Sequence, residues 1–289
     1  MEFACIYYIL FAKYGKIYTI MFSNKSEKKR NGVLLRELVK TDFKLRYQGS
    51  VLGYLWAVIK PLLMFAILYV VFAKVLRFGD AVPHYPVYLL TGTVLWNFFT
   101  ECTFQGIHSI EQRCDLIRKI NFPKYIVVVS ATSTALINLA INLCVVVVFA
   151  LLTGVGFSWT WLLVPISIVE LYVLALGISL LLGAINVKFR DIGSIWEVLM
   201  QAMFYAVPIL YPISMVTDAS VIVAKILLIN PIAQVIQDVR ENLITDATTT
   251  TWELAGPTWG VVSVLIVIAV FVFSVFYFKK KSKYFAEEV

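Results

Sequence analysis

Six stretches of more than 20 residues consist mainly of apolar side chains: residues 53–76, 86–109, 125–153, 161–185, 195–216 and 258–278. About 20 apolar residues in a helix cross the hydrocarbon core of a bilayer. With 60% hydrophobic and only 15% charged residues, a chain of this size cannot hide its apolar surface in one soluble core. The sequence therefore predicts an all-α integral membrane protein with six transmembrane helices.

Polar residues inside these stretches indicate which helices face the protein interior. The second stretch contains Asn97, Glu101, Gln105 and His108, so it is expected to face protein or water rather than lipid. Glu170 lies near the middle of the fourth stretch. It could relay protons or serve as a structural residue in the bundle. We favour the structural role, because one acid without acidic or basic company makes a weak relay.

Basic residues are unevenly divided between the segments that join the stretches. Residues 23–50, 109–124, 187–193 and 279–289 hold 18 of the 25 lysines and arginines. The alternate loops hold only Arg77, Lys225 and Arg240. Cytoplasmic loops carry the excess of positive charge, so both termini are predicted to be cytoplasmic, in a multi-pass protein of the cell (inner) membrane.

The chain divides into four segments. Residues 1–32 form an N-terminal cytoplasmic or interfacial extension, in which 3–12 are apolar but too short to span. Residues 33–50 contain an amphipathic helix, since apolar and basic side chains follow adjacent four-residue rows. This helix either anchors the chain at the membrane surface or docks a soluble partner. Residues 51–278 form the transmembrane domain, and 279–289 a basic cytoplasmic tail.

The outer segment 217–257 is long for a simple connection. It contains an apolar run at 219–229, then Asn230-Pro231, then a potential second short helix at 232–243. Two short helices after a proline-broken span suggest a re-entrant hairpin between helices 5 and 6. Membranes tolerate such a hairpin only where protein or a cavity surrounds it. A surface loop resting on lipid headgroups is the alternative.

Motifs for catalysis or cofactor binding are lacking in the sequence. It contains no GxxxxGK[ST], HExxH or GxSxG pattern. His84 and His108 are predicted at opposite ends of the second helix, and the four cysteines have no CxxC spacing. We therefore expect no catalytic residues, no bound metal and no cofactor on this chain. The net charge of +7 lies beside apolar runs, which favours lipid headgroups over nucleic acid.

Aromatic residues make up 15% of the chain, and several lie within the predicted spans close to Pro208 and Pro212. Flat rings with polar tips suit sugar faces, because they offer apolar contact together with hydrogen bonds. The residues that we predict to line a substrate channel are Trp56, Tyr69, Trp96, Phe204, Tyr205 and Tyr211. Packing of the same rings against lipid is the alternative.

Four segments together resemble the type-2 ABC exporter permeases. They are RYQGS with LGYLWAVIKPLL (46–63), IRKINFPK (117–124), NVKFRD with PILYP (186–212) and NPIAQVIQDVR (230–240). Their order and spacing agree with that family from about residue 33 to the C-terminus. The resemblance is strongest to the subfamily that exports O-antigen, capsular polysaccharide or teichoic acid. Residues 1–22 are not covered by it.

This resemblance implies a homodimer that encloses a channel and binds two copies of a separate ABC ATPase, which carries ATP and Mg. It implies that residues 111–123 form a coupling helix and that the segment within 217–243 gates the outer mouth. The implied ATPase-coupling residues are Arg113, Asp115, Arg118, Lys119, Arg36, Lys40 and Lys44. The substrate would be a lipid-linked glycan, and its pyrophosphate would be attracted by Arg46, Lys60 and Arg190 at the inner mouth.

Three other functions remain open from the sequence. An ABC exporter of a drug or small lipid is the nearest alternative. A proton-coupled secondary transporter would depend on Glu170 and need no ATPase. A membrane enzyme acting on glycans or lipids would need an activated residue in a cavity, and only Glu101 and His108 come close.

Overall fold

A computed structural model describes residues 25–78, 82–244 and 248–285 of the protein. Within these ranges all regular secondary structure is helical. The prediction of an interfacial extension therefore lies outside the described residues as far as residue 24. The helices are α1 (Lys25–Tyr47), α2 (Trp56–Tyr69), α3 (Tyr85–Gln112), α4 (Cys114–Lys119), α5 (Tyr125–Leu152), α6 (Val164–Asn186), α7 (Ile192–Ala206), α8 (Ile213–Ala219), α9 (Val221–Ile229), α10 (Pro231–Leu243), α11 (Thr251–Leu254) and α12 (Pro257–Lys281).

Short turns extend two of the spans beyond their α-helical parts. A 3-10 turn, Gly53–Leu55, leads into α2, and a π-helical stretch, Val70–Val75, ends it. A second 3-10 turn, Trp159–Leu163, leads into α6. Proline lies in the first turn of α3, α6, α10 and α12, where its missing N–H is not needed by the helix.

Four of the six predicted spans are long and apolar enough to cross a membrane: residues 53–75, 125–152, 159–186 and 257–281. The bent pair α9–α10, with 98° between its two helices, makes a fifth if it counts as one span. The second predicted span exists as α3, a 28-residue helix of roughly 42 Å. It falls outside the four because it contains the polar residues expected of an interior helix.

The fifth predicted span, 195–216, is interrupted, as expected of a proline-broken span, and α7 covers only its first part. Helix α7 ends at Ala206, the backbone at Val207 is extended (ψ 137°), and α8 begins only at Ile213. Pro208 and Pro212 lie in this interruption, and each disfavours helical backbone at the residue before it. We call residues 207–212 the α7–α8 break.

Helix α3 is the centre of the core, since 19 of its 28 residues are buried. It packs against α5 and α6. The approach to α6 is close because small residues meet there: a Cβ at Gly183 would lie 2.9 Å from the carbonyl oxygen of Gly106. Buried hydroxyls such as that of Thr103 donate to carbonyls of their own helix, so they are hydrogen-bonded although they are out of reach of water.

Helix α1 covers the predicted amphipathic segment and packs along α5. Its buried residue Leu38 belongs to a second apolar cluster with Phe122, Ile126 and Phe278. Phe285, beyond the end of α12, is fully buried in the same cluster. The middle of α1, the turn before α5 and the end of α12 therefore pack together around this cluster.

The predicted pair of short helices after the α7–α8 break is present as α9 and α10. Asn230 caps α10 by accepting a hydrogen bond from the N–H of Ile232 (3.0 Å), and Pro231 follows at the first helical position. Although α10 carries polar residues on several sides, 10 of its 13 residues are buried. A polar helix in such a place must find partners for its side chains within the protein.

Candidate functional site

A polar cluster around Glu101 joins α1, α3 and α5. The Glu101 carboxylate forms an ion pair with Arg46 at the end of α1. Its Oε1 also accepts hydrogen bonds from the amides of Gln105 (2.8 Å) and Asn138 (2.8 Å). Arg46 and Glu101 are about 30% exposed along their side chains, so water reaches this pair. We call this set of residues the inner cluster.

The inner cluster also contacts the beginning of α2. The Asn142 amide donates to the carbonyl of Ala57 in α2 (3.2 Å) and to the carbonyl of Asn138 (2.8 Å). Tyr47 donates from its hydroxyl to Asn138 Oδ1 (3.1 Å). Through these bonds the start of α2 is connected to α5, and α5 to both α1 and α3.

Three aromatic rings cover the α1 side of the inner cluster. Phe43 stacks on Tyr54 with ring centroids 5.4 Å apart, and Tyr47 contacts both rings. Burial raises the pKa of the Tyr47 phenol above its usual value, although nearby Arg46 opposes the rise. The hydroxyl therefore remains a neutral donor to Asn138 at ordinary pH.

A second polar centre surrounds Arg240, which lies in α10 and is completely buried. Its guanidinium donates to the carbonyls of Tyr88 (3.1 Å), Pro208 (2.7 Å) and Ile209 (2.7 Å) and to Gln237 Oε1 (3.1 Å). It also lies 3.5 Å from the centroid of the Tyr88 ring, a cation–π geometry. We call this arrangement the arginine clasp.

The opposite side of α10 carries an acidic group. Asp238 accepts hydrogen bonds from the indole N–H of Trp252 (3.3 Å) and from the Gln234 amide (3.5 Å). Its carboxylate interacts electrostatically with Glu170 of α6. Glu170 is buried as predicted, but the expectation that it lacks acidic company is wrong, because the folding of α10 brings Asp238 close to it.

Helices α2 and α7 are sparsely covered by the rest of the described residues. Only 11% of the most apolar window in residues 53–75 is buried, compared with 50% in 159–186. In α7 only Gly193 and Met200 are buried. One face of α7 presents a largely apolar surface formed by Ser194, Ile195, Val198, Leu199 and Ala202. These two helices therefore offer apolar surface that the chain itself does not cover.

The predicted channel aromatics fall into different places. Trp96 and Phe204 have ring centroids 5.9 Å apart, and Phe204 contacts Tyr205, which is 69% exposed. Trp96 is only 4% exposed, so its ring supports Phe204 from within the chain. Tyr211 is half-buried and donates to the carbonyl of Ala206 (3.0 Å).

Trp56 and Tyr69 lie at the two ends of α2 and do not join this group of rings. Trp56 is 41% exposed. Tyr69 is half-buried beside Phe65, with 5.8 Å between their ring centroids. The structure thus brings Trp96, Phe204 and Tyr205 together, and leaves the other predicted aromatics separate.

The predicted ATPase-coupling residues lie on α1 and around α4. Asp115, Arg118 and Lys119 of α4 are exposed. Arg113, just before α4, forms an ion pair with Asp42 of α1. That pair joins α1 to the turn before α4 and occupies the Arg113 side chain within the chain. The basic row of α1 is exposed: Arg36, Lys40 and Lys44.

The three basic residues predicted at the inner mouth have different surroundings. Lys60 and Arg190 are exposed. Arg46 is paired with Glu101, so its charge is largely compensated in this structure. Among the described residues, no group of three His, Cys, Asp or Glu side chains could hold a metal ion.

Neither the arginine clasp nor the inner cluster was predicted as a unit from the sequence. Arg240 was noted only as one of three basic residues in the outer loops, and Tyr88 was not singled out. A signal was present for Arg240, since an arginine in a short helix between two apolar runs is expensive unless it is buried with partners. No pattern in the sequence indicated which carbonyls would accept hydrogen bonds from Arg240.

The fold and these sites define a multi-span helical membrane protein with a densely packed polar interior and two exposed apolar helices. The sequence profile of the family described as ABC-2 type transporter matches residues 33–244. The match covers well over half of the chain, and the protein belongs to this family. The profile includes the inner cluster and the arginine clasp.

Individual relatives share much of the same length. The chain is 33% identical over 187 residues to the O-antigen export system permease protein RfbA of Myxococcus xanthus, covering 65% of this chain and 71% of that protein. It is 30% identical over 210 residues to RfbA of Klebsiella pneumoniae, covering 72% and 79%. The polysialic acid transport protein KpsM of Escherichia coli is 23% identical over 216 residues, covering 73% and 81%.

Proposed function

We propose that this chain is the channel-forming permease subunit of an ATP-driven exporter that moves a lipid-linked polysaccharide across the cytoplasmic membrane. The observation that carries the proposal is the family match over residues 33–244. The relatives named as O-antigen export permeases, at 30–33% identity, support a polysaccharide of the O-antigen, capsule or teichoic acid type as the substrate.

The exporter in this proposal is a homodimer, and α2 and α7 of each protomer border the channel. Large apolar side chains on these helices are uncovered, including Ile67 at 62% and Val198 at 67% exposure. An exposed face of that kind can meet lipid or another protomer. Tyr205 beside Phe204 would offer rings to sugar faces at the protomer's surface.

In this proposal export is driven by ATP hydrolysis on a separate ATPase subunit, which binds ATP and Mg. Two of its subunits contact the cytoplasmic side of the dimer, at α4 and the basic row of α1. The ion pair between Arg113 and Asp42 and the bonds of the inner cluster connect these elements to the start of α2. A push on α4 would thereby be transmitted through α1 and α5 to α2.

Co-purification tests the ATPase contact. The variant Arg118→Glu with Lys119→Glu reverses two exposed charges of α4 without touching buried Ile117. The matched control, Lys279→Glu with Lys280→Glu, makes the same charge change at the exposed end of α12. We expect a P-loop ATPase to accompany the native chain and the control but not the α4 variant, and export to be lost only in the α4 variant.

Two results would contradict this proposal. Export that continues in the α4 variant would remove α4 from the coupling path. A stable dimer that exports without any ATPase would point to a proton-coupled transporter, in which case Glu170→Gln should abolish transport. In the proposed exporter Glu170→Gln is tolerated or reduces the amount of folded protein, because the carboxylate has a structural place in the interior beside Asp238; the variant that folds keeps transport.

A further inference from the structure

The α7–α8 break has an unusual set of hydrogen bonds. Its carbonyls at Pro208, Ile209 and Leu210 are consecutive, and each accepts a bond from a side chain of another helix. Arg240 donates to the first two (2.7 Å each), and the Tyr85 hydroxyl donates to the third (2.6 Å). A non-helical backbone buried at this depth must be satisfied by the protein around it.

One side chain provides most of these donors. The N–H groups of Arg240 donate to two carbonyls of the break, to the carbonyl of Tyr88 in α3 and to the Gln237 side chain. No carboxylate is among the recorded partners of Arg240 in the described residues. Because a guanidinium presents several N–H groups in a rigid plane, a single residue of α10 can hold α3 and the break together.

Glycine at position 92 makes room for this arrangement. A Cβ atom built there would overlap Nη2 of Arg240 and approach the carbonyl oxygen of Ile209 to 3.4 Å. Gly92 has ordinary helical backbone, so the requirement for glycine is one of space. The guanidinium thus fills a site that is shaped from three directions, by α3, by α10 and by the break.

We propose that Arg240 is a positioning residue for export, which fastens the outer end of α7 to α10 and α3 through the carbonyls of the α7–α8 break. This inference rests on the proposed function for the role of α7 at the channel. If this is so, the C-terminal end of α7 can move only if α10 moves with it or if these hydrogen bonds break.

The arrangement differs from ordinary interior packing in one respect. Residues of the break such as Ile209 and Leu210 are buried, yet their carbonyls are held by side chains rather than by a helix. Such bonds can be exchanged one by one, whereas a continuous helix would have to unwind. A change in the clasp should therefore act first on the break, directly after the end of α7.

Hydrogen–deuterium exchange on the purified dimer tests the fastening. The variants are Arg240→Lys, which keeps the charge but loses the planar donor set, and Gly92→Ala, which displaces the guanidinium without altering it. The control is Gly106→Ala, which creates a more severe overlap in the same helix, with Cβ and Cα of Ser179 in α6, away from the clasp. We expect exchange in a peptide covering 207–212 to rise at least tenfold in both clasp variants and to stay native in the control.

A functional measurement separates positioning from general stability. In the complete exporter with its ATPase, we expect the clasp variants to hydrolyse ATP at a native rate while polymer exported per ATP falls at least fivefold. Tyr85→Phe removes only the donor to Leu210 and should give a smaller fall in the same direction. If Arg240→Lys does not insert, Gly92→Ala and Tyr85→Phe decide the outcome.

Several outcomes would overturn the inference. Unchanged exchange at 207–212 in Gly92→Ala would show that the clasp does not fasten the break. A rise spread equally over α5 and α6 would make Arg240 a general packing residue. Local exchange that rises while export per ATP stays native would remove the role in export. If the native chain exports no polymer at all, the proposed function fails, whereas the exchange result still stands.

Discussion

Arg240 and Arg46 are both held by the protein, but in opposite ways. Arg240 is fully buried and bound by carbonyl oxygens and an amide, whereas Arg46 is about one-third exposed and bound by the Glu101 carboxylate. A buried charge needs hydrogen bonds that replace the water it has lost. A partly exposed charge can exchange its protein partner for water at small cost. The region around α10 is therefore held by side-chain bonds to buried backbone carbonyls, and the end of α1 by an ion pair that water can reach.

The strongest test of this contrast removes the donors of Arg240. Arg240→Met keeps an apolar stem of similar reach and leaves the carbonyls of Tyr88, Pro208 and Ile209 without these donors. Each buried acceptor that is left without its donor costs about 1–3 kcal/mol, so three such carbonyls together should give the largest effect. We expect this loss in the free energy of unfolding, measured by denaturation in mixed detergent micelles. Native stability in this variant would mean that the carbonyls find other donors.

A smaller effect is expected from crowding the same guanidinium. Gly92→Ala should reduce the free energy of unfolding by about 1–3 kcal/mol, the usual cost of overpacking. Because both changes act on one contact, the double variant with Arg240→Met should be less destabilised than the sum of the two. Strict additivity in this cycle would show that residues 92 and 240 do not interact.

The inner cluster should tolerate substitution better. Glu101→Gln keeps an oxygen that can accept from Asn138 but loses the charge that pairs with Arg46. Since this pair is partly exposed, we expect a loss of about 1 kcal/mol in the free energy of unfolding. The matched variant Arg46→Gln should cost a similar amount, and the double variant little more than either. A loss as large as that of Arg240→Met would abolish the contrast between the two arginines.

The weakest effect is expected at the pair between Arg113 and Asp42. Asp42→Asn should change the free energy of unfolding by about 0.5 kcal/mol, because both side chains are partly exposed. Raising the salt concentration from 0.15 M to 1 M shortens the Debye length from about 8 Å to about 3 Å and should reduce the difference further. An effect that does not depend on salt would indicate that the hydrogen bond rather than the charge matters.

The helical and membrane character could be predicted from the sequence because it depends on local composition. Four spans and the pair α9–α10 follow from runs of apolar residues and from Asn230-Pro231. The interruption of the fifth span could be expected from Pro208 and Pro212, but where the helix ends and resumes could not. Proline also occurs inside α2, at Pro61, without ending that helix. Whether a proline interrupts a helix depends on tertiary contacts, such as those of the arginine clasp at Pro208.

The two polar centres could not be predicted for a related reason. Arg240 and Tyr88 are 152 residues apart, and Arg46 and Glu101 are 55 apart. Periodicity within a helix tells which side chains share a face, but it does not tell which other helix that face meets. Glu170 is an instance, because its acidic neighbour Asp238 lies in a different helix and was invisible from the pattern around it.

The close approach of Gly92 to Arg240 also bears on how such sequences can diverge. The two positions share one volume, so neither can be exchanged freely while the other stays as it is. In related sequences, a residue other than glycine at position 92 should occur only together with a side chain smaller than arginine at position 240. Evolution would then have to pass through two coordinated steps, and the second step would be selected as a repair of the first.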